Sequence, residues 1–165
     1  MDEIKGSVFI LGDDINTDAI VPSHTLTVRD PEEMAKYTLE FTAPEFVRNS
    51  DKYNIIVAGE NFGTGSSREE AVYVFKILGI KAIIAKSFAR IYFRNLINLG
   101  IPAIKLKWKE DDFSKGNFIK INLSKAFIYN QTKNLKFEFE QLPNFLKEIL
   151  KQGGIINKLM LELKK

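Results

Sequence analysis

The stretch ENFGTGSSREEAV combines residue types that could hold and polarise a negatively charged substrate. Gly63 and Gly65 allow backbone N–H groups to converge into a concave nest. Ser66 and Ser67 follow at the expected start of a helix, where free N–H groups and the helix dipole favour negative charge. Arg68 adds a cation that can bind a carboxylate through two hydrogen bonds. The stretch therefore predicts an anion site at the N-terminus of a helix.

Two common phosphate-binding motifs do not fit this stretch. A Walker loop ends in Gly-Lys-Ser or Gly-Lys-Thr, whereas Gly65 is followed by Ser66. A dinucleotide fingerprint has the spacing G-x-G-x-x-G, whereas the glycines here stand at positions 59, 63 and 65. A nucleotide is therefore not the predicted ligand.

A purely structural interpretation of the same serines stays open. Ser66 with Glu69, or Ser67 with Glu70, fits the S-x-x-E pattern of a capping box, in which a serine and a glutamate satisfy free N–H groups at a helix start. A second serine and an arginine exceed what such a cap needs, which favours a functional role.

A serine in this chain would have to act as a base without a neighbouring histidine to activate it. The sequence contains one histidine, His24, far from the serines along the chain. A serine alkoxide can be stabilised by N–H groups, a helix N-terminus and a guanidinium, and could then remove a proton beside a carboxylate. Another agent must stabilise the resulting anion, and the chain offers no ligand set for a metal of its own. The residues therefore indicate half of an active site.

Composition narrows the class of protein further. The chain has 165 residues, 45% of them hydrophobic, which suits one domain spanning residues 1–165. It has no cysteine, so disulfides, a cysteine nucleophile and an iron–sulfur cluster held by its own thiolates are excluded. The net charge of +3 is mild and the basic residues are scattered, so we expect no nucleic-acid partner. An acidic N-terminus and the lack of long apolar runs predict a soluble, cytoplasmic protein without a signal peptide or membrane partner.

The elements around the glycine-rich stretch alternate between strands and helices. Apolar strands are predicted at residues 7–11, 54–59, 81–85 and 101–106. A long loop is predicted at residues 12–26, a helix after the N-cap Asp30, and an irregular segment at 40–53. Further helices are predicted at about 67–78 and 89–99, each ended by a glycine. Strands joined by helices in this order predict a parallel βαβαβ core with right-handed crossovers.

The last third of the sequence has a different pattern. Short alternating or aromatic-rich strands are predicted at residues 117–123, 126–130 and 135–140, and they favour antiparallel hairpins. An amphipathic helix is predicted at 142–154 and a final helix at 155–163. The predicted fold class is α/β, with a parallel core and a C-terminal antiparallel and helical appendage.

Three blocks of the sequence together resemble a known family. GDDINTDAIVP, ENFGTGSSREEAV and KAIIAKSFARIYFRNLINLGIPAI are similar, in this order and spacing, to the small subunits of 3-isopropylmalate dehydratase. These belong to the aconitase superfamily, in which the same unit is a swivelling β/β/α domain. The blocks cover roughly the first two-thirds of the chain, and the last third carries no diagnostic motif.

The resemblance implies roles for individual residues. Ser66 would be the catalytic base, Ser67 and Arg68 would hold a substrate carboxylate, and Asp18 would lie close to the reacting atoms. The [4Fe–4S] cluster and the catalytic histidines would belong to a separate large subunit, in a heterodimer or heterotetramer. Self-association of the isolated chain is left open. The implied reaction interconverts 2-isopropylmalate and 3-isopropylmalate through 2-isopropylmaleate, in leucine biosynthesis.

The segment SHTLTV lies where relatives carry a loop that discriminates between substrates. Relatives that handle tricarboxylates place an arginine where this chain has Thr27. Without it, a small apolar substituent is favoured, and Leu26 and Val28 could contact an isopropyl group. Arg29 could instead take over the missing role. The alternatives are a related hydro-lyase subunit (homoaconitase, citraconate/methylmalate or dimethylmalate dehydratase) and a non-catalytic anion-binding module.

The helix predicted after the third strand carries two arginines whose role the sequence leaves undecided. Arg90 and Arg94 are four residues apart on one helix face. They could brace the site or a subunit contact, or they could belong to a solvated surface whose apolar stems lie on the core.

Overall fold

A seven-stranded mixed sheet organises residues 3–164, the part of the chain that the computed structural model describes. The strands are β1 (Glu3–Ile10), β2 (Ile55–Ala58), β3 (Ala82–Ala85), β4 (Ala103–Lys105), β5 (Phe118–Asn122), β6 (Phe127–Asn130) and β7 (Leu135–Glu138). Their order across the sheet is β4-β3-β2-β1-β5-β6-β7.

The first four strands form the parallel half of the sheet. β1 pairs with β2, β2 with β3 and β3 with β4, all in parallel register, for example Val8 opposite Ile55 and Ile55 opposite Ala82. Every residue of β2 and β3 is buried. Such continuous apolar runs are typical of parallel strands that are covered on both faces. The predicted βαβαβ core is confirmed.

Seven helices connect or flank these strands within the described residues. They are α1 (Thr17–Ile20), α2 (Pro31–Ala35), α3 (Glu45–Arg48), α4 (Glu70–Ile77), α5 (Arg90–Asn98), α6 (Asn144–Lys151) and α7 (Ile155–Leu163). Short 3₁₀ turns lie at Ser23–Thr25 and Glu110–Asp112. As predicted, Asp30 caps α2: its side chain accepts a hydrogen bond from the Glu32 N–H, and Pro31 occupies the first turn.

The C-terminal strands extend the same sheet and do not form a separate layer. β5 pairs antiparallel with β1, and β6 and β7 follow as antiparallel hairpins. β1 is therefore a shared strand, with a parallel neighbour on one side and an antiparallel neighbour on the other. The predicted α/β fold, with an antiparallel and helical C-terminal part, is confirmed.

Several predicted elements differ from the structure, and β1 begins at Glu3, four residues before its predicted start at Ser7. α4 begins at Glu70, three residues after the predicted start at Ser67, and the non-helical turn that has positive φ at Gly63 and Gly65 continues past both serines. The predicted loop at 12–26 contains the short helix α1, whose N-cap Asn16 accepts a hydrogen bond from the Ala19 N–H. The segment predicted to be irregular contains the one-turn helix α3.

One continuous apolar core joins the sheet to its helices. Its largest fully buried side chains include Phe9, Phe46, Phe62 and Phe75, which meet in edge-on or tilted aromatic contacts. In the part of the chain that the structure describes, none of the helices is long and apolar enough to cross a membrane.

Candidate functional site

The glycine-rich turn is fastened to the segment that follows β1. The Gly63 N–H donates to the Ile15 carbonyl at 2.7 Å, and the Thr17 N–H donates to the Thr64 carbonyl at 2.8 Å. The Thr17 hydroxyl also donates to the Ser66 carbonyl at 2.9 Å. Because β1 and β2 are adjacent and parallel, the segments after their carboxyl ends meet at one edge of the sheet. These bonds hold the backbone of the turn while leaving its side chains free.

Gly63 occupies a position that no other residue could take without strain. Its φ is +85°, and a Cβ atom there would lie 2.2 Å from the Tyr92 ring. Tyr92 is buried, and its hydroxyl donates to the Ala71 carbonyl at 2.8 Å. Burial raises the pKa of the Tyr92 hydroxyl well above its ordinary value, so it remains a neutral donor. The turn therefore packs directly against the ring of Tyr92 on α5, and the hydroxyl of Tyr92 is hydrogen-bonded to α4.

We expect Gly63→Ala to destabilise the fold more than Gly116→Ala. Both glycines have a similar positive φ, +85° and +90°, but nothing lies within 4 Å of a Cβ at Gly116. The backbone strain is therefore common to both variants, and the overlap with Tyr92 is specific to the first. Overlap of this kind costs roughly 1–3 kcal/mol of the free energy of unfolding. Urea denaturation would measure it, and equal losses in the two variants would contradict the packing argument.

The free hydrogen-bond donors of the turn lie at residues 65–68. Within residues 3–164, the N–H groups of these four residues have no hydrogen-bond acceptor, and neither do the hydroxyls of Ser66 and Ser67. The Gly63 N–H is used internally, so the predicted nest is narrower and begins at Gly65, whose φ is +100°. The capping-box interpretation was wrong: α4 has Glu69 at its N-cap position, without a side-chain cap.

Arg68 is held along one edge of its guanidinium. Its Nη1 lies 2.5 Å from an Asp18 carboxylate oxygen and donates to the Val21 carbonyl at 3.3 Å. Nε and Nη2 have no partner in the described part of the chain, and these two atoms form the edge that binds a carboxylate side-on. The Arg68 side chain is 20% exposed and that of Asp18 is 66% exposed. Asp18 thus orients Arg68 while leaving its second edge accessible.

A pocket of about 260 Å³ brings together the predicted base Ser66 and the predicted carboxylate-binding residues Ser67 and Arg68, whereas Asp18 contacts Arg68 but does not line the pocket. It is lined by Thr17, Gly63, Gly65, Ser66, Ser67, Arg68, Ala89, Arg90, Ile91, Tyr92 and Asn95. Arg90, which the sequence left undecided, lies in this pocket, whereas Arg94 lines a different one. The residue-by-residue predictions missed Thr17, although its place before Asp18 in the sequence was a signal for it. We call this cavity the serine pocket.

Leu26 and Val28 of the predicted substrate loop line a second cavity. This cavity, of about 510 Å³, is lined by Leu26, Val28, Arg29, Pro31, Met34, Glu69, Glu70, Tyr73 and Val74. Thr27 does not line it, and the Thr27 hydroxyl lies 3.5 Å from the His24 carbonyl. Arg68 lines the serine pocket and the next residue in the chain, Glu69, lines this second cavity. We call the second cavity the α2–α4 pocket.

The chain's own residues do not fit an iron–sulfur cluster. The sequence has no cysteine, and among residues 3–164 no group of three or more His, Cys, Asp or Glu side chains is placed to hold a metal ion. His24 contacts the Glu40 carboxylate at 2.7 Å and lines neither of the two pockets. Ligands for such a cluster would have to come from another chain.

The serine pocket combines groups suited to carboxylate binding and proton transfer. The free edge of Arg68 can accept a carboxylate through two hydrogen bonds. The N–H groups of residues 65–68, which have no acceptor within the described residues, belong to the same turn as the Ser66 hydroxyl, and fixed N–H groups of this kind can stabilise an oxyanion. The geometry therefore supports a proton transfer beside a bound carboxylate.

Comparison with known proteins agrees with this geometry. Residues 15–109, which include both walls of the serine pocket, match the aconitase C-terminal domain family. The chain is 45% identical over 151 residues to the 3-isopropylmalate dehydratase small subunit 1 of Archaeoglobus fulgidus, covering 92% of this chain and 93% of the relative. It is 44% identical to the 3-isopropylmalate dehydratase small subunit of Aliarcobacter butzleri, covering 100% and 99%.

A solved structure extends the agreement to the whole fold. The crystal structure of a 3-isopropylmalate dehydratase protein (leuD) from Methanocaldococcus jannaschii superposes with a TM-score of 0.88 at 41% identity, covering 99% of both chains. The resemblance that the three sequence blocks indicated is thereby confirmed. The chain belongs to the aconitase C-terminal domain family and, within it, to the 3-isopropylmalate dehydratase small subunits.

Proposed function

We propose that this chain is one half of a hydro-lyase that interconverts 2-isopropylmalate and 3-isopropylmalate in leucine biosynthesis. The relatives that it matches over almost their whole length are named as small subunits of this dehydratase. The reaction removes water to form 2-isopropylmaleate and adds it back at the neighbouring carbon. We also expect the complex to work in the cytoplasm.

The observation that carries the proposal is the accessible turn at residues 65–68. In a space of about 260 Å³ it brings together two hydroxyls without internal partners, a row of free N–H groups and one open edge of a guanidinium. A structural turn does not need all three. Proton abstraction beside a carboxylate does need them, because the base, the donors that stabilise its charge and the carboxylate grip must be within reach of one substrate.

Each residue of the turn has a proposed role in this chemistry. The Ser66 oxygen takes the proton from the carbon next to a substrate carboxylate during dehydration and returns a proton during hydration. Ser67 and the open edge of Arg68 bind that carboxylate. Asp18 acts as a positioning residue through its contact with Arg68. Electrostatic stabilisation of the serine oxygen by fixed N–H groups supports this assignment, because such groups need no reorganisation during the reaction.

The partner is proposed to be a separate large subunit. The aconitase family implies a [4Fe–4S] cluster, and a chain without cysteine cannot supply thiolate ligands for it. We place the cluster and the remaining catalytic groups on the large subunit. When bound there, the cluster would supply an electrophile for the hydroxyl that leaves.

The experiment that tests the proposal is reconstitution with the dehydratase large subunit of the same organism. We expect each purified subunit alone to be inactive and the mixture to hydrate 2-isopropylmaleate, measured by loss of its ultraviolet absorbance. Turnover by this chain alone, free of any iron–sulfur protein, would contradict the need for a partner. A reconstituted complex that binds 2-isopropylmaleate but does not hydrate it would instead favour an anion-binding module.

The same assay, run with two other substrates, tests the choice of substrate. Preference for 2-isopropylmaleate over citraconate, which has a smaller substituent, is expected to be modest, on the order of 10- to 200-fold. Discrimination against cis-homoaconitate is expected to be larger, because burying an unpaired carboxylate is costly. A reconstituted enzyme that prefers cis-homoaconitate would favour the homoaconitase alternative, with Arg29 serving the additional carboxylate.

A further inference from the structure

The α2–α4 pocket presents apolar surface that no part of the described chain covers. Leu26 and Tyr73 both line it, and each is 42% exposed, although both side chains are large and largely apolar. Pro31, Met34 and Val74 complete its apolar lining. Exposed apolar surface inside a concavity is typical of a place where a ligand group is bound.

The charged groups of the same pocket carry a net negative charge. Glu69 and Glu70 contribute two carboxylates from the start of α4, and Arg29 contributes one guanidinium. Within residues 3–164, none of these three side chains forms an ion pair or a side-chain hydrogen bond. The two negative charges therefore exceed the one positive charge of Arg29. The pocket therefore attracts an uncharged apolar group and repels an additional carboxylate.

The position of this pocket connects it to the chemistry. Arg68 lines the serine pocket and Glu69 lines the α2–α4 pocket, so consecutive residues face the two cavities. A substrate whose carboxylate is bound by Arg68 would direct a neighbouring substituent toward the start of α4.

We propose that Glu70 and Tyr73, on the first turns of α4, determine which substituent the enzyme accepts. Tyr73 contributes apolar surface from α4 to the cavity that Leu26 and Val28 also line, and Glu70 repels substituents that end in a carboxylate. Specificity thus comes from a repulsive element as well as an attractive one. This inference rests on the proposed function and adds residues from α4 to a loop that the sequence alone had indicated.

Among the described residues that line this pocket, Arg29 is the one that favours the opposite specificity. Its guanidinium lines the pocket and could bind an additional carboxylate. It would have to do so in a cavity that two carboxylates also line, and their charge offsets what one cation contributes. The balance of charge favours an uncharged substituent.

Two variants in the reconstituted holoenzyme test this inference. Glu70→Gln is expected to raise kcat/KM for cis-homoaconitate relative to 2-isopropylmaleate, on the order of 5-fold. Tyr73→Ala is expected to lower kcat/KM for 2-isopropylmaleate on the order of 10-fold, and less for citraconate, whose methyl group makes fewer contacts. Glu45→Gln is the matched control, because Glu45 is the first residue of α3 as Glu70 is of α4. It should leave the substrate ratios unchanged.

The outcomes separate this inference from the proposed function. If the wild-type complex hydrates 2-isopropylmaleate but both α4 variants keep the wild-type substrate ratios, the α4 wall does not select and the inference is wrong. If Glu45→Gln changes the ratios as much as Glu70→Gln does, the effect is not local to the pocket and the inference is again wrong. A wild-type complex that hydrates only the tricarboxylate would overturn the proposed substrate and this inference together. The expected shifts in both α4 variants would support it.

Discussion

Replacing Ser66 with alanine is expected to lower the kcat of the reconstituted enzyme by a factor of at least about 100 while leaving the fold and the assembly intact. A general base contributes roughly 100- to 10,000-fold to a proton-transfer step. The loss should fall on kcat, because the hydroxyl acts in the transition state and does not hold the ground-state substrate. The measurement is steady-state hydration of 2-isopropylmaleate at saturating substrate.

The structure explains why the Ser66→Ala variant should fold normally. Within the described residues, the Ser66 hydroxyl makes no hydrogen bond, and only its carbonyl is used, as the acceptor for the Thr17 hydroxyl. A methyl group at this position leaves that bond in place. Neither serine caps α4, so no helix cap is lost with the hydroxyl.

Ser67→Ala provides the matched control for the base. Its hydroxyl is equally free of partners within residues 3–164, and we propose that it contacts the substrate carboxylate. Its loss should appear mainly in KM. If Ser66→Ala retains near-normal kcat, or if Ser67→Ala loses as much kcat as Ser66→Ala, then Ser66 is not the base.

Replacing Arg68 with lysine is expected to raise KM on the order of 10- to 100-fold. In the wild-type chain, Nη1 of Arg68 is engaged by Asp18 and Val21, and Nε with Nη2 remain for the substrate. A lysine ammonium is a single point of charge and cannot keep the Asp18 contact while donating two parallel hydrogen bonds to a substrate carboxylate. Loss of one charged hydrogen bond costs about 1.5–3 kcal/mol.

Arg94→Lys separates this effect from a general loss of arginine. Arg94 lies on α5 and lines a pocket other than the serine pocket. The variant should have nearly the same KM as the wild type. An unchanged KM in Arg68→Lys, measured beside it, would show that Arg68 does not bind the substrate carboxylate.

Local sequence signals predicted most of the elements of this fold. The apolar runs of β2 and β3 and the cap at Asp30 are short-range features, because each depends on a few consecutive residues. The start of α4 was predicted three residues too early, because a serine three residues before a glutamate matches the pattern of a helix cap when only the local sequence is considered. The turn before α4 has positive φ angles at Gly63, which packs against Tyr92, and at Gly65, which packs against Thr17, so its conformation depends on residues distant in the sequence.

The contacts that complete the candidate site are long-range and carry no local signal. Asp18 and Arg68 meet although they are 50 positions apart, because β1 and β2 lie side by side and their following segments converge. Tyr73 was predicted only as part of a helix. Its place in the same cavity as Leu26 depends on how α2 packs against α4, which no periodicity in either segment encodes. The family resemblance identified the turn that contains the serines, but it did not indicate that α4 residues line the α2–α4 pocket.

The position of β1 in the sheet has a consequence for how the chain folds as it is synthesised. Glu3 pairs with Asn122, so the side of β1 that pairs with β5 has no partner until more than a hundred further residues have left the ribosome. Until β5 arrives, that side of β1 exposes unpaired N–H and C=O groups beside an apolar surface, which is the kind of edge on which nascent chains aggregate. A strand at the centre of the finished sheet is thus an edge strand for most of its synthesis. Chaperone protection would matter most during that interval.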